Sequence, residues 1–381
     1  MSMHNDDMAP SLSPEAAAKA AGREAGMRKG RGDGYRIGLM QGGVAAIPPI
    51  QLPRRALRVI YVTAGIGVPY PALDAAVIEA LRANVSDTVV ASPSDDVAAL
   101  ASRERPDLVL ALNGTVFPAE QVEQLRRLGI RTAVWFTDDP YYTDWTGAIA
   151  PRYDFVFTLE LSCVAYYASL GCAQAHYLPF GAEPQLFHPR HAGQEHQSDI
   201  CFIGTGFWNR IDLIDRLMPH LRGRKVVIAG WWWDRLKHFK ELGGSIRLGD
   251  WMSPEETANY YNGAKVVINL HRSIDDDTIN ANQVKLPAHS PNPRTFEIAA
   301  CGTLQLSDQR HDLANWYRPD EEIAMFASFE ELTAKLEHYL SDEEARRQVA
   351  LRGLLRTRRD HTYASRLRVL LEHVFPGSGG V

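Results

Sequence analysis

Cysteine is scarce in this chain. The 381 residues hold four, Cys163, Cys172, Cys201 and Cys301, without the paired spacing of a metal site and too few for a disulfide scaffold. Each is expected to be a buried or half-buried thiol. Long apolar runs are missing too. No stretch reaches membrane-spanning length, and the first residues lack the apolar region of a signal peptide, so a cytoplasmic location with no membrane span is the expectation. Basic charge is not in excess: 41 Lys and Arg stand against 46 Asp and Glu, a net charge of -5, which argues against nucleic acid as a partner. The superficial Asp-x-Asp at Asp275-Asp276-Asp277 falls in a polar stretch and reads as a solvated acidic turn, so no metal site is expected. What the chain does have is apolar content. Hydrophobic residues make up 45% of it, enough for two cores, and the length favours two domains.

Residues 1–55 read as a tail and a small subunit of the first domain. A helix is expected from Pro14 to about Met27 with Ser13 as its cap. Lys19, Arg23, Arg28, Lys29 and Arg31 form a basic patch of the solvated kind. Residues 35–40 give a short apolar alternation, followed by Gly42-Gly43 and a passage rich in proline at Pro48, Pro49 and Pro53. From residue 57 strands alternate with helices. Strands are expected at 58–63, 88–91, 108–112, 131–136, 155–158 and 175–178, and again at 200–203, 225–229, 246–248, 265–270 and 303–307. Helical segments separate them, and three amphipathic helices close the chain at 329–340, 343–358 and 364–374. Apolar strands spaced by helices imply parallel sheets covered on both faces. The expected α/β architecture is two doubly wound Rossmann-like domains facing across a cleft. Residues 56–186 form the first and 187–381 the second, with the last helix crossing back.

The stretch from Ser290 to Asp308 reads as a short helix marked at both ends. Asn292 is a good cap, Pro293 suits the first helical position, and Gly302 supplies the stop. Arg294, Glu297 and Cys301 share one stripe, while Phe296, Ala299 and Ala300 turn to a core. A helix N-terminus offers free N–H groups and partial positive charge to a phosphate, and Arg294 adds to it. Glu297, one turn further in, can reach two vicinal hydroxyls of a ribose. In doubly wound folds ligands sit at the carboxyl ends of the strands. That rule points to Asn113, Asp138 and Asp139 in the first half, and to Gly204–Arg210, Trp231–Trp233 and His271 in the second. Asp138 or Asp139 is the best-placed general base, with a turn-capping role beside Pro140 as the plain alternative. Glu160 and His176 are read as structural. At least one of Trp231, Trp232 and Trp233 should pack inward, and Trp251 suits the rim of a nucleobase site.

Several motifs carry a resemblance. Residues 178–189 look like the interdomain signature of GT-B glycosyltransferases. Phe202-Ile-Gly-Thr-Gly206, Val267-Ile-Asn-Leu-His-Arg272, residues 290–302 and His361-Thr-Tyr363 are similar to the spore-maturation, CgeB-like glycosyltransferases, as is Trp135-Phe-Thr-Asp-Asp-Pro140. The likeness spans about residues 57–375, and Asn292-Pro-Arg-Thr-Phe-Glu297 is its most specific part. It implies a GT-B fold that moves a sugar from a nucleoside diphosphate, of UDP type, to an unknown glycan or protein acceptor. No cofactor is expected beyond this donor. Donor binding would fall on the second domain and the acceptor on the first.

Carried over by position, Glu297 matches the ribose-holding glutamate and Arg210 the diphosphate cation. Gly204, Thr205 and Gly206 would let backbone N–H groups approach the phosphates. Asn292, Arg294 and Thr295 at the start of the helix, His289 before it, and Trp231 are expected to join them in holding the nucleotide-sugar. Many retaining relatives have a second glutamate eight positions before the first; here that position is His289. Inversion or retention stays open, and His271 or its loop is a candidate to serve instead. A nucleotide-sugar epimerase on the same fold and a non-catalytic, sugar-binding coat-assembly protein are the alternatives.

Overall fold

The computed structural model describes residues 14–48, 53–249 and 251–377. The expected Ser13 cap, the first part of the N-terminal tail and part of the proline passage lie outside them. Helix α1 (Pro14–Ala45) comes first. A six-stranded sheet follows, built from β1 (Arg55–Val62), β2 (Val85–Ala91), β3 (Leu108–Leu112), β4 (Arg131–Trp135), β5 (Phe155–Thr158) and β6 (Ala175–Tyr177). Its helices are α2 (Tyr70–Asn84), α3 (Val97–Glu104), α4 (Ala119–Arg127), α5 (Thr143–Ile149) and α6 (Leu161–Ser169). The second sheet holds β7 (Ser198–Ile203), β8 (Val226–Gly230), β9 (Ile246–Leu248), β10 (Ala264–Asn269), β11 (Leu304–Asp308) and β12 (Ala324–Phe326). Around it lie α7 (Trp208–Leu221), α8 (Phe239–Leu242), α9 (Pro254–Gly263), α10 (Pro293–Ala300), α11 (Leu313–Trp316), α12 (Phe329–Ser341) and α13 (Glu343–Asp360). The last helix is α14 (Tyr363–Val374).

Both sheets are parallel, in the orders β2-β1-β3-β4-β5-β6 and β12-β11-β10-β7-β8-β9. Each reverses its strand order once, between β1 and β3 and between β7 and β10, which opens a crevice at the carboxyl ends there. The central strands are apolar on both faces. All five residues of β3 are buried, as a parallel strand covered by helices requires. Strand β12 and helices α5, α8 and α11 were not legible in the sequence; all are short, and short segments carry little periodicity. Among the described residues no helix is long and apolar enough to cross a membrane.

Helix α1 departs from the expectation. It is one continuous helix in place of a helix to Met27 and an apolar alternation at 35–40, and it docks on the second unit rather than serving the first. Glycine-rich segments have weak helix propensity, so tertiary contact must hold this one. Met40 is fully buried in the second core with Leu354. Gly43 comes so close to α13 that a Cβ there would stand 3.0 Å from Leu351 Cδ1. Arg36 Nη2 donates to Asn262 O at 2.8 Å and Arg347 Nη2 to Gly32 O at 3.0 Å.

Two connections tie the units together. Helix α14 packs on α2, and its Leu367, Leu370 and Leu371 are fully buried in the first core. At its entry Ala182 N donates to His361 O at 2.9 Å and Tyr363 N to Ala182 O at 3.2 Å. The second connection is the polar loop after β10. Ala281 N donates to Tyr141 O at 2.8 Å, Asp144 N to Ala281 O at 2.9 Å, and Ser162 Oγ to Pro287 O at 2.6 Å. It straps the second unit to α5 and α6.

Truncating Met40 to alanine tests the docking of α1. Met40→Ala is expected to cost about 2–5 kcal/mol of unfolding free energy in urea titration, the usual range for a buried large-to-small change. A loss under about 0.5 kcal/mol would mean that α1 does not share the second core.

Candidate functional site

A cleft of about 460 Å³ lies between the carboxyl ends of the two sheets. A larger cavity, about 800 Å³, opens under α1 at the amino ends of the second sheet's strands, away from the residues that close them. The cleft draws its walls from both units, and the two walls differ in charge.

Three guanidiniums meet on the second unit's side. Arg210, in the first turn of α7, is only 2% exposed. Its Nε donates to Leu270 O at 3.0 Å and its Nη1 to Thr205 O at 2.9 Å, leaving Nη2 without a partner among the described residues. Burial, and next the nearby Arg294, hold its pKa well below the usual arginine value. Arg294 belongs to the first turn of α10. It crowds the turn after β7: at Gly204, whose φ of +148° favours glycine, a Cβ would stand 2.4 Å from Arg294 Nη1, so a side chain there would displace this cation. Arg272, which follows β10, is 9% exposed and lies over the rings of Tyr141, Phe207 and Tyr142 at 4.6, 4.7 and 5.2 Å. Its Nε and Nη2 are buried with no hydrogen-bond partner among the described residues. None of the three pairs with a carboxylate among the described residues; the nearby Asp308 is taken by His271 and Arg310. Like charges gathered in a sheltered site favour a bound anion. Sequence reasoning missed Arg272. Its signal is a basic residue closing a strand, as Arg210 closes the turn after β7.

Glu297, in the second turn of α10, faces the same cleft. Its carboxyl makes no hydrogen bond to the described residues, and burial raises its pKa to about 7 against the opposing pull of Arg294. Next to it Tyr363 presents a buried hydroxyl without a partner among the described residues. Trp231 and Trp251, each 42% exposed, also line the cleft. Trp231 Nε1 is tied to Gly249 O at 3.0 Å. Trp233 turns into the core, fully buried, and donates to Gly204 O at 2.8 Å. Thr205 lines the cleft with a backbone N–H that has no partner among the described residues.

Several expected ligand contacts turn out to be structural. Gly204 N is bonded to Ala229 O at 2.9 Å and Gly206 N to Trp231 O at 2.8 Å, so neither N–H is free for a phosphate. Gly206 is needed instead because a Cβ would stand 3.0 Å from Trp232 O, and it does not line the cleft. His271 is 2% exposed with both ring nitrogens engaged: Nδ1 lies 2.5 Å from Asp308 Oδ1, and Nε2 accepts from Asn292 N at 2.9 Å. Burial, the larger effect, lowers its pKa despite Asp308. It fixes the start of α10 and has no nitrogen left for catalysis. Asn292 caps that helix, accepting from Thr295 N at 3.1 Å. Thr295 is fully buried and accepts from Asn269 Nδ2 at 3.1 Å, so it does not reach the cleft. His289 also stays outside, its ring against His311 and its N–H on Glu160.

On the first unit's side the two aspartates part. Asp139 is 1% exposed and accepts from Thr158 Oγ1 at 2.6 Å, Tyr167 OH at 2.7 Å and Thr146 Oγ1 at 3.1 Å. Burial raises its pKa to about 6 against these bonds. It borders the cleft as well, but both of its oxygens are engaged by these donors, which makes it an anchor for α5, β5 and α6. Asp138 lines the cleft. Its Oδ2 accepts from Thr137 Oγ1 at 2.5 Å and Tyr70 OH at 2.8 Å, while Oδ1 has no partner among the described residues. Asn113 does not contact the site directly; it donates to Thr137 Oγ1 at 2.6 Å. Glu160, 1% exposed, accepts from the N–H groups of Ser162, His289 and Ser290 at 3.0–3.1 Å and so holds the strap loop. Asp275 and Asp277 are exposed, Asp277 paired with Lys285. Among the described residues no group of three or more His, Cys, Asp or Glu side chains could hold a metal ion.

Residues 210–372 match the family described as glycosyl transferase-like. The chain is 28% identical over 297 residues to the spore protein CgeB of Bacillus subtilis (strain 168), covering 77% of this chain and 91% of that one. Its fold is similar to the sucrose-phosphate synthase of Thermosynechococcus elongatus (TM-score 0.59, 14% identity, 84% of this chain and 99% of that one). It is also similar to Alr3699/HepE of Anabaena, crystallised in complex with UDP (TM-score 0.51, 9% identity, 83% and 99%).

The state of Glu297 makes stability depend on pH. Its folded-state pKa of about 7 lies above the ordinary 4.5, so between those values the folded protein keeps a proton that the unfolded chain releases. Stability must fall as pH rises through that window. Glu297→Gln should remove this component, leaving a shallower decline between pH 5 and pH 8 in urea titrations. An unchanged slope would place the carboxyl in open solvent.

Proposed function

We propose that this chain, a CgeB-like glycosyltransferase of the GT-B fold, moves a hexosyl unit from a UDP-type donor to a hydroxyl acceptor without a catalytic metal ion. The observation that carries the reading is the group of Arg210, Arg272 and Arg294, unpaired with carboxylates among the described residues. When the bond from the anomeric carbon to the phosphate oxygen breaks, its electron pair leaves with the nucleoside diphosphate. Preorganised cations stabilise that developing charge, and guanidiniums fit phosphate oxygens in pairs. Three of them supply the neutralisation for which a divalent ion would otherwise be used. Glu297 holds the ribose hydroxyls, and Trp231 and Trp251 flank the base. The UDP assignment draws support from the UDP complex of the similarly folded HepE. The buried, unpaired thiols fit a reducing, cytoplasmic setting.

Asp138 is the base in this reading. The acceptor oxygen bonds to the anomeric carbon while its proton passes to Asp138 Oδ1, and attack opposite the leaving group inverts the centre. Tyr70 and Thr137 hold the carboxylate by its other oxygen.

Calorimetry with UDP tests the donor half. Arg272→Ala and Glu297→Ala should each weaken binding by about 1–3 kcal/mol, the usual loss for a charged hydrogen-bond partner, and EDTA should leave wild-type binding and transfer intact. Full affinity in both variants would end the donor assignment; a requirement for Mn²⁺ or Mg²⁺ would end metal independence.

The two aspartates separate by kinetics and stability. Asp138→Asn should lower turnover by about 10²–10⁴-fold with donor affinity kept, whereas Asp139→Asn should chiefly lower the melting temperature. NMR of the product's anomeric centre should report inversion. A fully active Asp138→Asn would remove the base.

A further inference from the structure

The first unit's side of the cleft holds no Lys or Arg and includes an apolar wall, where the second unit's side is cationic. The wall is built from Pro69, Ala72, Leu73, Ala76, Leu159 and Phe180. The acidic groups beside this wall are already satisfied. Asp74 accepts from Tyr61 OH at 2.7 Å and Ala64 N at 3.0 Å; Asp139 and Glu160 each hold three donors. Asp138 Oδ1 and, at the outer edge, Glu183 Oε2 are the carboxylate oxygens left to meet a hydroxyl there, Glu183 Oε1 accepting from Gln185 N at 3.0 Å. An acceptor with many hydroxyls would lose water along this wall and find few partners, and each buried unpaired hydroxyl is costly.

The wall continues outward. A groove of about 410 Å³ shares Pro69, Ala72 and Ala76 with the cleft and runs past Val68, Leu186 and Pro254 to Trp251. Val68 is 47% exposed and Trp251 42%, so apolar surface stands open at the mouth. The charged residues lining this groove are Glu79, Glu183 and Glu255, with no Lys or Arg; Glu79 shares its charge with Arg82 on the same helix. The cleft is therefore divided, cationic where a diphosphate leaves and apolar with an acidic rim where the acceptor enters. An anionic acceptor would be drawn to the wrong half.

We propose that the acceptor is a small alcohol or phenol with an extended apolar body and no phosphate or carboxylate, lying along α2 with its hydroxyl at Asp138. This rests on the transfer reading above. The hydroxyl oxygen forms the bond to the anomeric carbon, the phosphate oxygen departs with the electron pair, and the proton goes to Asp138.

Binding of 1-naphthol, followed by its own fluorescence, needs no donor and tests the wall directly. Wild-type protein should bind it, and Ala72→Glu and Leu73→Glu should each weaken binding at least about ten-fold, close to 1.4 kcal/mol. Leu73→Met should bind as wild type, and thermal melts of all three variants show which of them are folded. With a turned-over UDP-sugar, naphthol should speed donor consumption and appear as a glycoside by mass spectrometry, whereas glucose and a serine-containing peptide should not. Naphthol binding that is absent in the wild type, or unmoved by either folded glutamate variant, overturns the proposal. So does transfer to glucose or peptide without transfer to naphthol. UDP calorimetry on the wild type judges the donor reading separately, because naphthol binding does not depend on it.

Discussion

Three positive charges that form no ion pair with a carboxylate among the described residues are the constraint around which this cleft is built. Leaving such groups uncompensated opposes folding, so the chain must hold each one by something other than an ion pair. Arg210 is held by carbonyl oxygens. Arg272 is held by aromatic faces, two of them from the first unit. Arg294 sits in space that Gly204 leaves by having no side chain. The consequence reaches beyond the second sheet. Because Tyr141 and Tyr142 cover Arg272, the two units must meet for the cationic wall to exist, and the strap loop and α14 are what bring them together.

Much of the polar chemistry near the cleft is spent on that assembly. Arg310, Asp308, His271 and Asn292 form a relay of hydrogen bonds and ion pairs that ends at the first residue before α10. It fixes where Arg294 and Glu297 emerge. Glu160 does similar work from the other side, with its carboxylate on the N–H groups of His289 and Ser290. Residues of these types at strand ends look catalytic in a sequence. Here burial and the number of partners identify them as supports, and groups with unfilled hydrogen-bonding capacity are the ones left for ligand, among them Arg210, Arg272, Glu297, the Tyr363 hydroxyl, the Thr205 N–H and one oxygen of Asp138. The choice between Asp138 and Asp139 shows the principle at its narrowest: both lie in the turn after β4, and only Asp138 keeps a carboxylate oxygen without a partner among the described residues.

The sequence by itself determined the α/β architecture, eleven of the twelve strands and the capped helix α10. Continuous apolar strands, helical spacing, and cap residues are local signals, each written within a few neighbouring positions. The motif around Asn292-Pro-Arg-Thr-Phe-Glu297 was enough to place Arg294 and Glu297 in one site. Tertiary structure alone decided the rest. It sent α1 to the second core, because a glycine-rich helix takes its partner from close packing and not from propensity. It added Arg272, whose three aromatic neighbours come from positions 141, 142 and 207. It also set His289, Thr295 and Gly206 away from the cleft and engaged the polar atoms of His271 and Asp139 within the fold, since whether a polar atom is free depends on partners far away in the chain. Local order follows from local sequence, but an unfilled hydrogen bond or an unpaired charge is a property of the whole fold.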